Sequence, residues 1–327
     1  MRKKKIILVT LAILLLAIIL TLAGCVAVMP SGDKVAVISL SGAITNGGSY
    51  SFLSSTITPG SVREQLNKAE KDAAVKAIVL RVDSPGGQVV PSEEISAMVE
   101  KAKESKPVVV SMGSMAASGG YYISAKADKI VAFSGTSTGS IGVISQIPNL
   151  KGLYEKLGIE MQTFTGGKYK DMYSGLRELT PEEKEIMQRM VDVYYEQFVE
   201  VVAEGRGLDK EEVRNLATGQ LYTGAEAKEL GLVDELGGLD TAIDLASELA
   251  GVTSPEVEYY NPPNKSLLES LLGINLDSLA YAVQMRLLGL NGQDMVLLQV
   301  LNYAYPEPQY LVSLAPLSWK GNLDKAE

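Results

Sequence analysis

Apolar and polar residues alternate in blocks that predict strands and helices in turn. Short β-branched runs at Lys34–Leu40, Ala77–Val82 and Val108–Ser111 have the length and composition of buried strands. Polar residues at helical spacing lie between them, near residues 61–72 and 92–103. Strand–helix–strand units at this spacing predict an α/β fold, with a mostly parallel sheet and helices on its faces.

Capping residues mark two of the predicted helix starts. Ser61 and Glu64 have the spacing of a capping box, which predicts a helix from Ser61. Residues 180–183, Thr-Pro-Glu-Glu, predict a second start, with proline in the first turn. Apolar positions then recur every three to four residues until Gly205 and Gly207. Such a stripe is typical of a core or subunit-packing face.

The pattern divides the chain into four parts. Residues 1–25 combine the basic Arg2–Lys5 with a long uncharged apolar run, which is typical of a signal anchor. Residues 26–33 form a short linker, residues 34–260 form the main domain, and residues 261–327 form a leucine-rich tail. The basic end is expected to stay cytoplasmic, which would place the domain outside the membrane.

The only cysteine allows a second interpretation of the amino terminus. Leu22-Ala23-Gly24-Cys25 looks like a bacterial lipobox, in which Cys25 would be lipidated after cleavage. Residues 1–25 are therefore either an uncleaved anchor or a lipoprotein signal peptide. Both interpretations place the same domain on the same side of the membrane.

Composition excludes several classes of site. The sequence has no histidine, so a Ser-His-Asp triad, a Cys-His dyad and a His-ligated metal are impossible. One cysteine allows no disulfide within the chain. The net charge of −9 argues against a nucleic-acid partner. We expect neither a metal nor a cofactor.

Three glycine-rich turns follow apolar strands and could carry chemistry. In the second turn, Ser118 lies between small residues at a strand-to-helix transition, as a serine nucleophile requires. The first turn contains Gly86 and Gly87, whose N–H groups could stabilise an oxyanion. The third, residues 136–142, is rich in hydroxyl groups. Taken singly, each turn is more often a close-packed reverse turn than a site.

A serine nucleophile without histidine needs another base, and two lysines are candidates. Lys168 and Lys170 lie in a glycine-opened stretch that we predict to be extended. A free lysine has a pKa of about 10.4 and becomes a base only where its surroundings lower that value. Alternate residues of a strand share a face, so periodicity does not choose between the two.

Together these residues resemble the bacterial signal peptide peptidase A family of serine proteases. The resemblance covers roughly Lys34–Leu249. Within the family, the chain is similar to the short, half-length members. The matching stretches follow the family's order: Asp83–Gly87, Met115–Tyr122, Thr138–Val143, Gly167–Lys170 and Gly231–Gly237.

This resemblance implies a fold like that of crotonase and the Clp protease subunit, with one catalytic domain behind an N-terminal membrane anchor. It implies a Ser-Lys dyad in which Ser118 is the nucleophile and Lys170, rather than Lys168, is the base. Ser140 matches the hydroxyl that orients the lysine. Gly119 matches one oxyanion donor, and the Gly86–Gly87 turn supplies the other.

The resemblance also implies the setting of the activity. The substrates would be apolar peptides such as cleaved signal peptides. A short member would assemble as a ring-shaped homo-oligomer, in which the lysine of one subunit serves the serine of a neighbour. The protein would be attached to the bacterial cell membrane through its amino terminus, with the catalytic domain on the extracytoplasmic side.

Two other functions are weighed against a protease. A crotonase-type acyl-CoA enzyme would use similar oxyanion donors but usually needs acidic groups at the site, and the three turns offer only Asp83. An inactive membrane-anchored scaffold of the same fold would not require both Ser118 and Lys170. A third alternative is a related membrane protease that acts on a different apolar peptide, and it is harder to distinguish from a signal peptide peptidase.

Overall fold

The computed structural model describes residues 32–46 and 56–260. Within these ranges no helix is long and apolar enough to cross a membrane. The predicted anchor, the lipobox at Cys25 and the tail at 261–327 lie outside the described residues.

Strands and helices alternate along the described chain. The strands are β1 (Lys34–Ser41), β2 (Ala43–Ile44), β3 (Thr56–Ile57), β4 (Val75–Ser84), β5 (Val108–Ala117), β6 (Lys129–Ala132), β7 (Ser137–Gly139), β8 (Leu221–Thr223), β9 (Glu235–Leu236) and β10 (Glu256–Tyr260). The helices are α1 (Pro59–Lys71), α2 (Val89–Lys103), α3 (Gly119–Ala125), α4 (Lys151–Lys156), α5 (Pro181–Arg206), α6 (Lys210–Leu216), α7 (Gly224–Glu229) and α8 (Leu239–Ala250).

One sheet organises the domain, with strand order β10-β1-β4-β5-β6-β9 and parallel pairing throughout that path. Strand β5 pairs with β6 through its first half and with β7 through its second half. Strand β8 adds to β7 in the antiparallel direction. Strands β2 and β3 form a separate parallel pair. The predicted parallel α/β architecture is confirmed.

The sheet is buried on both faces, which explains the nearly unbroken apolar strands. In β1, Ala36 and Ile38 point into the larger core, formed with helices α1, α2, α3 and α5. Val35 and Val37 point to the opposite face, where they pack near Ala242 of α8. Successive side chains of a strand point to opposite faces, so one apolar run serves both cores.

Helix α1 begins two residues earlier than predicted. Its cap is Thr58, whose side chain accepts the N–H of Ser61, and Pro59 occupies the first helical position. The capping box expected at Ser61 is therefore wrong. Proline favours the first helical position because its fixed φ suits the helix and its missing N–H would have no partner there.

Helix α5 begins with the predicted capping box between Thr180 and Glu183 and ends at Gly207 in the left-handed conformation. Only its carboxyl-terminal half packs into the core. Phe198 is buried there, with its ring centroid 4.9 Å from that of Tyr122. In the amino-terminal half Val193 is 56% exposed. The apolar stripe is thus a core face at one end only.

Candidate active site

The carboxyl ends of three neighbouring strands bring the three glycine-rich turns together. Ser84 at the end of β4 pairs with Ala116 of β5, and Ala117 pairs with Gly139 of β7. The turns that follow β4, β5 and β7 therefore meet at one edge of the sheet. Ligands of open α/β sheets usually bind at this edge.

Ser118 joins β5 to α3 in a strained backbone conformation, with φ 50° and ψ −122°. Its N–H donates to the Gly139 carbonyl at 2.8 Å, and its own carbonyl accepts the N–H groups of Tyr121 and Tyr122. Its half-buried hydroxyl makes no hydrogen bond with any described residue. A non-glycine residue in such a conformation costs about 1–3 kcal/mol and is typical of functional sites.

The first and second turns touch through their main chains. A Cβ on Gly86, where φ is +100°, would lie 2.6 Å from the Gly119 nitrogen and 2.9 Å from the Ser118 Cβ. A Cβ on Gly119 would lie 3.1 Å from the Gly87 nitrogen. Any side chain at Gly86 would therefore displace the main chain beside the serine.

Main-chain hydrogen bonds distinguish the two glycines of the first turn. The Gly86 N–H donates to Ser84 Oγ at 3.1 Å. The Gly86 carbonyl accepts the N–H of Ile44, and the Ile44 carbonyl accepts the N–H of Gln88. These two bonds form a parallel bridge between Ile44 and Gly87. The N–H of a residue in that position points away from the bridge partner.

The Gly87 N–H is therefore the donor that remains on the first turn. It lies on the side of Gly119, the first residue of α3, and the first N–H groups of a helix have no partner within the helix. Two main-chain donors thus flank Ser118, which is the arrangement of an oxyanion hole. The sequence offered Gly86 and Gly87 equally; the geometry favours Gly87.

Ser140 lies beside Ser118, immediately after β7. Its φ is 49°, and its N–H donates to the Gln220 carbonyl at 2.8 Å. The buried hydroxyls of Thr136 and Thr138 donate to carbonyls of β5. The Ser140 hydroxyl, half-buried, makes no hydrogen bond with the described residues. Among these three hydroxyls, it is the one left available for chemistry.

The Asp83 carboxylate supports the main chain between β4 and β5. Its Oδ1 accepts the N–H of Met115 at 3.0 Å, where the register of β4 and β5 shifts. A Cβ on Gly113 would lie 2.7 Å from the Asp83 Cγ, so the carboxylate fills the space that this glycine leaves. The only acid of the three turns is thus used by the main chain, which disfavours an acyl-CoA enzyme.

The prediction of an extended stretch at residues 166–171 is wrong. The segment forms consecutive turns, in which the Lys170 N–H donates to the Gly167 carbonyl at 3.3 Å. The Lys168 amine pairs with Glu182 at 2.5 Å, and this hydrogen bond raises the pKa of Lys168. Lys170 is exposed, and its side-chain amine makes no hydrogen bond or ion pair with the residues described. Its amine is therefore not bonded to Ser118 or Ser140 of the same chain.

The sequence analysis does not identify Arg177, although its side chain contacts the turn that carries Lys170. It pairs with Asp171, next to that lysine, and with Glu183 in the first turn of α5. Glu183 was recognised only as a helix cap, and an arginine followed six residues later by a cap glutamate is a weak signal. No group of three acidic side chains in residues 32–46 and 56–260 could hold a metal ion.

Comparison with known proteins identifies the family. The model of peptidase family S49 matches residues 100–253, and that of Clp protease matches residues 53–138. The domain thus has a Clp-protease-like α/β fold. A protein described as a candidate protease in Methanocaldococcus jannaschii is 45% identical over 62% of this chain and 65% of its own length.

Two further relatives match this chain over a larger share of their own lengths. A candidate protease of Synechocystis is 42% identical over 69% of this chain and 77% of its own. A protein named as a candidate signal peptide peptidase SppA in Enterococcus faecium is 39% identical over 74% of this chain and 71% of its own. With identities at this level over most of both chains, the protein belongs to the peptidase S49 family of serine proteases.

Proposed function

We propose that this protease works through a Ser-Lys dyad, with Ser118 as the nucleophile and Lys170 as the general base. The observation that carries the proposal is the position of Ser118. It has a strained backbone with a positive φ, the N–H groups of Gly87 and Gly119 beside it, and no hydrogen bond on its hydroxyl among the described residues. This geometry suits attack on a carbonyl group whose oxygen becomes negatively charged.

The reaction proceeds in two acyl-transfer steps. The neutral amine of Lys170 takes the proton from Ser118 Oγ, which attacks the peptide carbonyl carbon. The N–H groups of Gly87 and Gly119 stabilise the oxyanion, and the leaving amine takes the proton back from Lys170. Water then gives a proton to Lys170 and attacks the acyl-enzyme, releasing the acid and restoring Ser118. The Ser140 hydroxyl orients the lysine amine during both steps.

The dyad is completed between subunits of a ring-shaped homo-oligomer. The free Lys170 amine and the exposed apolar residues that precede it support this assembly, because a monomer rarely exposes many large apolar side chains in one segment. Those residues are Ile144, Leu153, Leu157, Ile159, Met161 and Phe164.

Apolar peptides such as cleaved signal peptides are the proposed substrates. The name of the Enterococcus faecium relative supports this class. Residues 1–25 attach the protein to the bacterial cell membrane, either as an anchor or through a lipid on Cys25, and the catalytic domain lies on the extracytoplasmic side. The basic residues before the apolar run support this orientation.

Hydrolysis of an unstructured apolar peptide with a fluorogenic leaving group tests the dyad. Ser118→Ala and Lys170→Ala are expected to be inactive, whereas Lys168→Ala, which removes an exposed lysine paired with Glu182, retains most of the activity. Loss of activity in Lys168→Ala with full activity in Lys170→Ala would contradict the assignment of the base.

A further inference from the structure

The turn that carries Lys170 has few main-chain restraints. It belongs to no strand or helix. The Ser174 N–H donates to the Asp171 carbonyl at 2.9 Å, but the bonds from Lys170 to Gly167 and from Met172 to Tyr169 are both 3.3 Å long. At that length such bonds lie beyond the usual range for N–H donors. The position of the lysine must therefore depend on side-chain contacts around the turn.

Before the lysine, Lys168 and Tyr169 contact Glu182 in exposed hydrogen bonds. After it, Arg177 makes part-buried contacts with its whole guanidinium group. Its Nε and Nη2 donate to the two carboxylate oxygens of Asp171, both at 2.8 Å. Its Nη1 and Nη2 donate to the two oxygens of Glu183, at 2.7 and 2.6 Å. The second Nη1 hydrogen serves the Glu178 carbonyl at 3.0 Å. All five N–H donors of the arginine are thus used.

The far end of this arrangement is fixed to helix α5. The Glu183 side chain is 2% exposed and also accepts the Thr180 N–H at 2.8 Å, as part of the capping box. The hydrogen bond with Arg177, followed by that with the Thr180 main chain, lowers the pKa of Glu183 to about 2. Glu183 is therefore a charged, rigid attachment point on the helix.

The near end is the residue next to the proposed base. Asp171 follows Lys170 directly, and its pKa is lowered by the hydrogen bond with Arg177. We propose that Arg177 is a positioning residue that holds the Lys170 turn against the first turn of α5. This inference rests on the proposed role of Lys170 as the base.

Arginine is required here by geometry as well as by charge. Two bidentate carboxylate pairs need a planar group with donors on two edges, which the lysine ammonium does not offer. Displacing a catalytic group by about 1 Å can cost about 100-fold in rate. Loss of the arginine should therefore act on kcat through Lys170, whereas peptide binding should be little affected.

A matched pair of variants of the full-length protein tests the inference. Arg177→Met removes both ion pairs, and Arg214→Met removes a comparable arginine that also pairs with two glutamates, Glu196 of α5 and Glu211 of α6. We expect Arg177→Met to lower kcat by about 10- to 100-fold with KM nearly unchanged, and Arg214→Met to leave both within about twofold. Equal kcat values in the two variants would overturn the inference.

Two further variants separate positioning from folding. Arg177→Lys keeps the charge but not the fork, so it is expected to recover only part of kcat. Asp171→Asn weakens only the bond beside Lys170 and leaves Glu183 paired, so it should lower kcat while lowering the melting temperature less than Arg177→Met does. Full activity of Asp171→Asn would contradict the inference, including in the case where Arg177→Met fails to fold.

Combination with Lys170→Ala distinguishes this inference from the proposed function. If Arg177 acts through the lysine, adding Arg177→Met to Lys170→Ala lowers the residual rate no further. A further fall would show a structural role instead. A fully active Lys170→Ala would contradict the dyad itself, whereas an inactive Lys170→Ala with a fully active Arg177→Met would contradict only the positioning role.

Discussion

Ser118 and Ser140 both have a positive φ, at the ends of two adjacent parallel strands. Their φ values are 50° and 49°, and the Ser118 N–H donates to the carbonyl of Gly139, the residue before Ser140. Each side chain is half-buried. The sheet therefore places two strained serines next to each other, with the proposed roles of nucleophile for Ser118 and lysine-orienting hydroxyl for Ser140.

Removal of the Ser140 hydroxyl should affect catalysis more than stability. Ser140→Ala is expected to lower kcat at least about tenfold, because the lysine amine loses the group that orients it. Thr138→Val is the control, since the buried Thr138 hydroxyl donates to the Ala116 carbonyl at 2.7 Å. That variant should lose about 1–3 kcal/mol of stability while kcat changes little. Steady-state kinetics and thermal unfolding of both variants check this contrast.

The first glycine turn should tolerate no side chain at Gly87. A Cβ there would lie 2.0 Å from the Ile44 carbonyl oxygen, so Gly87→Ala must shift the turn and its N–H donor. We expect a loss of about 100- to 1,000-fold in kcat, as for removal of an oxyanion-hole donor. Gly60→Ala in α1 meets no atom within 4 Å and should keep full activity. Wild-type kcat in Gly87→Ala would rule out this N–H as a donor.

Activity should rise towards alkaline pH. A lysine accepts a proton from serine only in its neutral form, so the active fraction of sites increases as protons are removed. The prediction is checked by single-turnover acylation rates from about pH 6 to about pH 10, a range below the ordinary lysine pKa of about 10.4, in which the neutral fraction of a lysine rises with pH. A flat profile, with chemistry as the slow step, would count against a lysine base.

The pairing of Glu183 with Arg177 predicts a second pH dependence, that of the stability of the domain in acid. The pKa of this carboxyl is about 2 in the folded protein, below the usual value of about 4.3 in unfolded chains. Its stabilising effect is therefore complete above the unfolded value and is lost as the pH falls through the folded value. The melting temperatures of wild type and Glu183→Gln should differ by a constant amount near neutral pH and converge as the pH approaches about 2. A difference that persists undiminished in acid would contradict this origin.

Much of the fold follows from local patterns in the chain. The apolar run Ala77–Val82 predicts a buried strand, and the structure has β4 at Val75–Ser84, because short apolar runs buried from both sides are visible in the sequence alone. The capping box at Thr180 was also correct, because its two hydrogen bonds are made within one helical turn. The start of α1 was misplaced because Ser61 also carries capping chemistry, and the proline at residue 59 decides between the two starts.

The site was less accessible to sequence reasoning because it depends on contacts between distant segments. Ser118 and the first turn could be proposed from small residues after strands, but the choice of Gly87 over Gly86 needs the bridge to Ile44. The sequence predicts an extended segment where the structure has the turns around Lys170, because the ion pairs of Arg177 with Asp171 and Glu183 leave no periodic pattern.

Subunit mixing tests the proposed sharing of sites. Ser118→Ala and Lys170→Ala proteins are each expected to be inactive, but rings assembled from both should regain activity, because an intact serine then faces an intact lysine of a neighbour. Mixing before assembly, with each protein alone as the control, provides the comparison. Inactive mixed rings of normal size would show that both residues of a site come from one chain.

The central claim is that Ser118 is activated by Lys170, and covalent labelling with a fluorophosphonate tests it most directly. Peptide mass analysis should place the adduct on Ser118 in the wild type and in Lys168→Ala. In Lys170→Ala, assembled normally, the labelling rate should fall at least about 100-fold, as expected on loss of a general base. An adduct on another residue, or undiminished labelling of Ser118 in Lys170→Ala, would contradict the account.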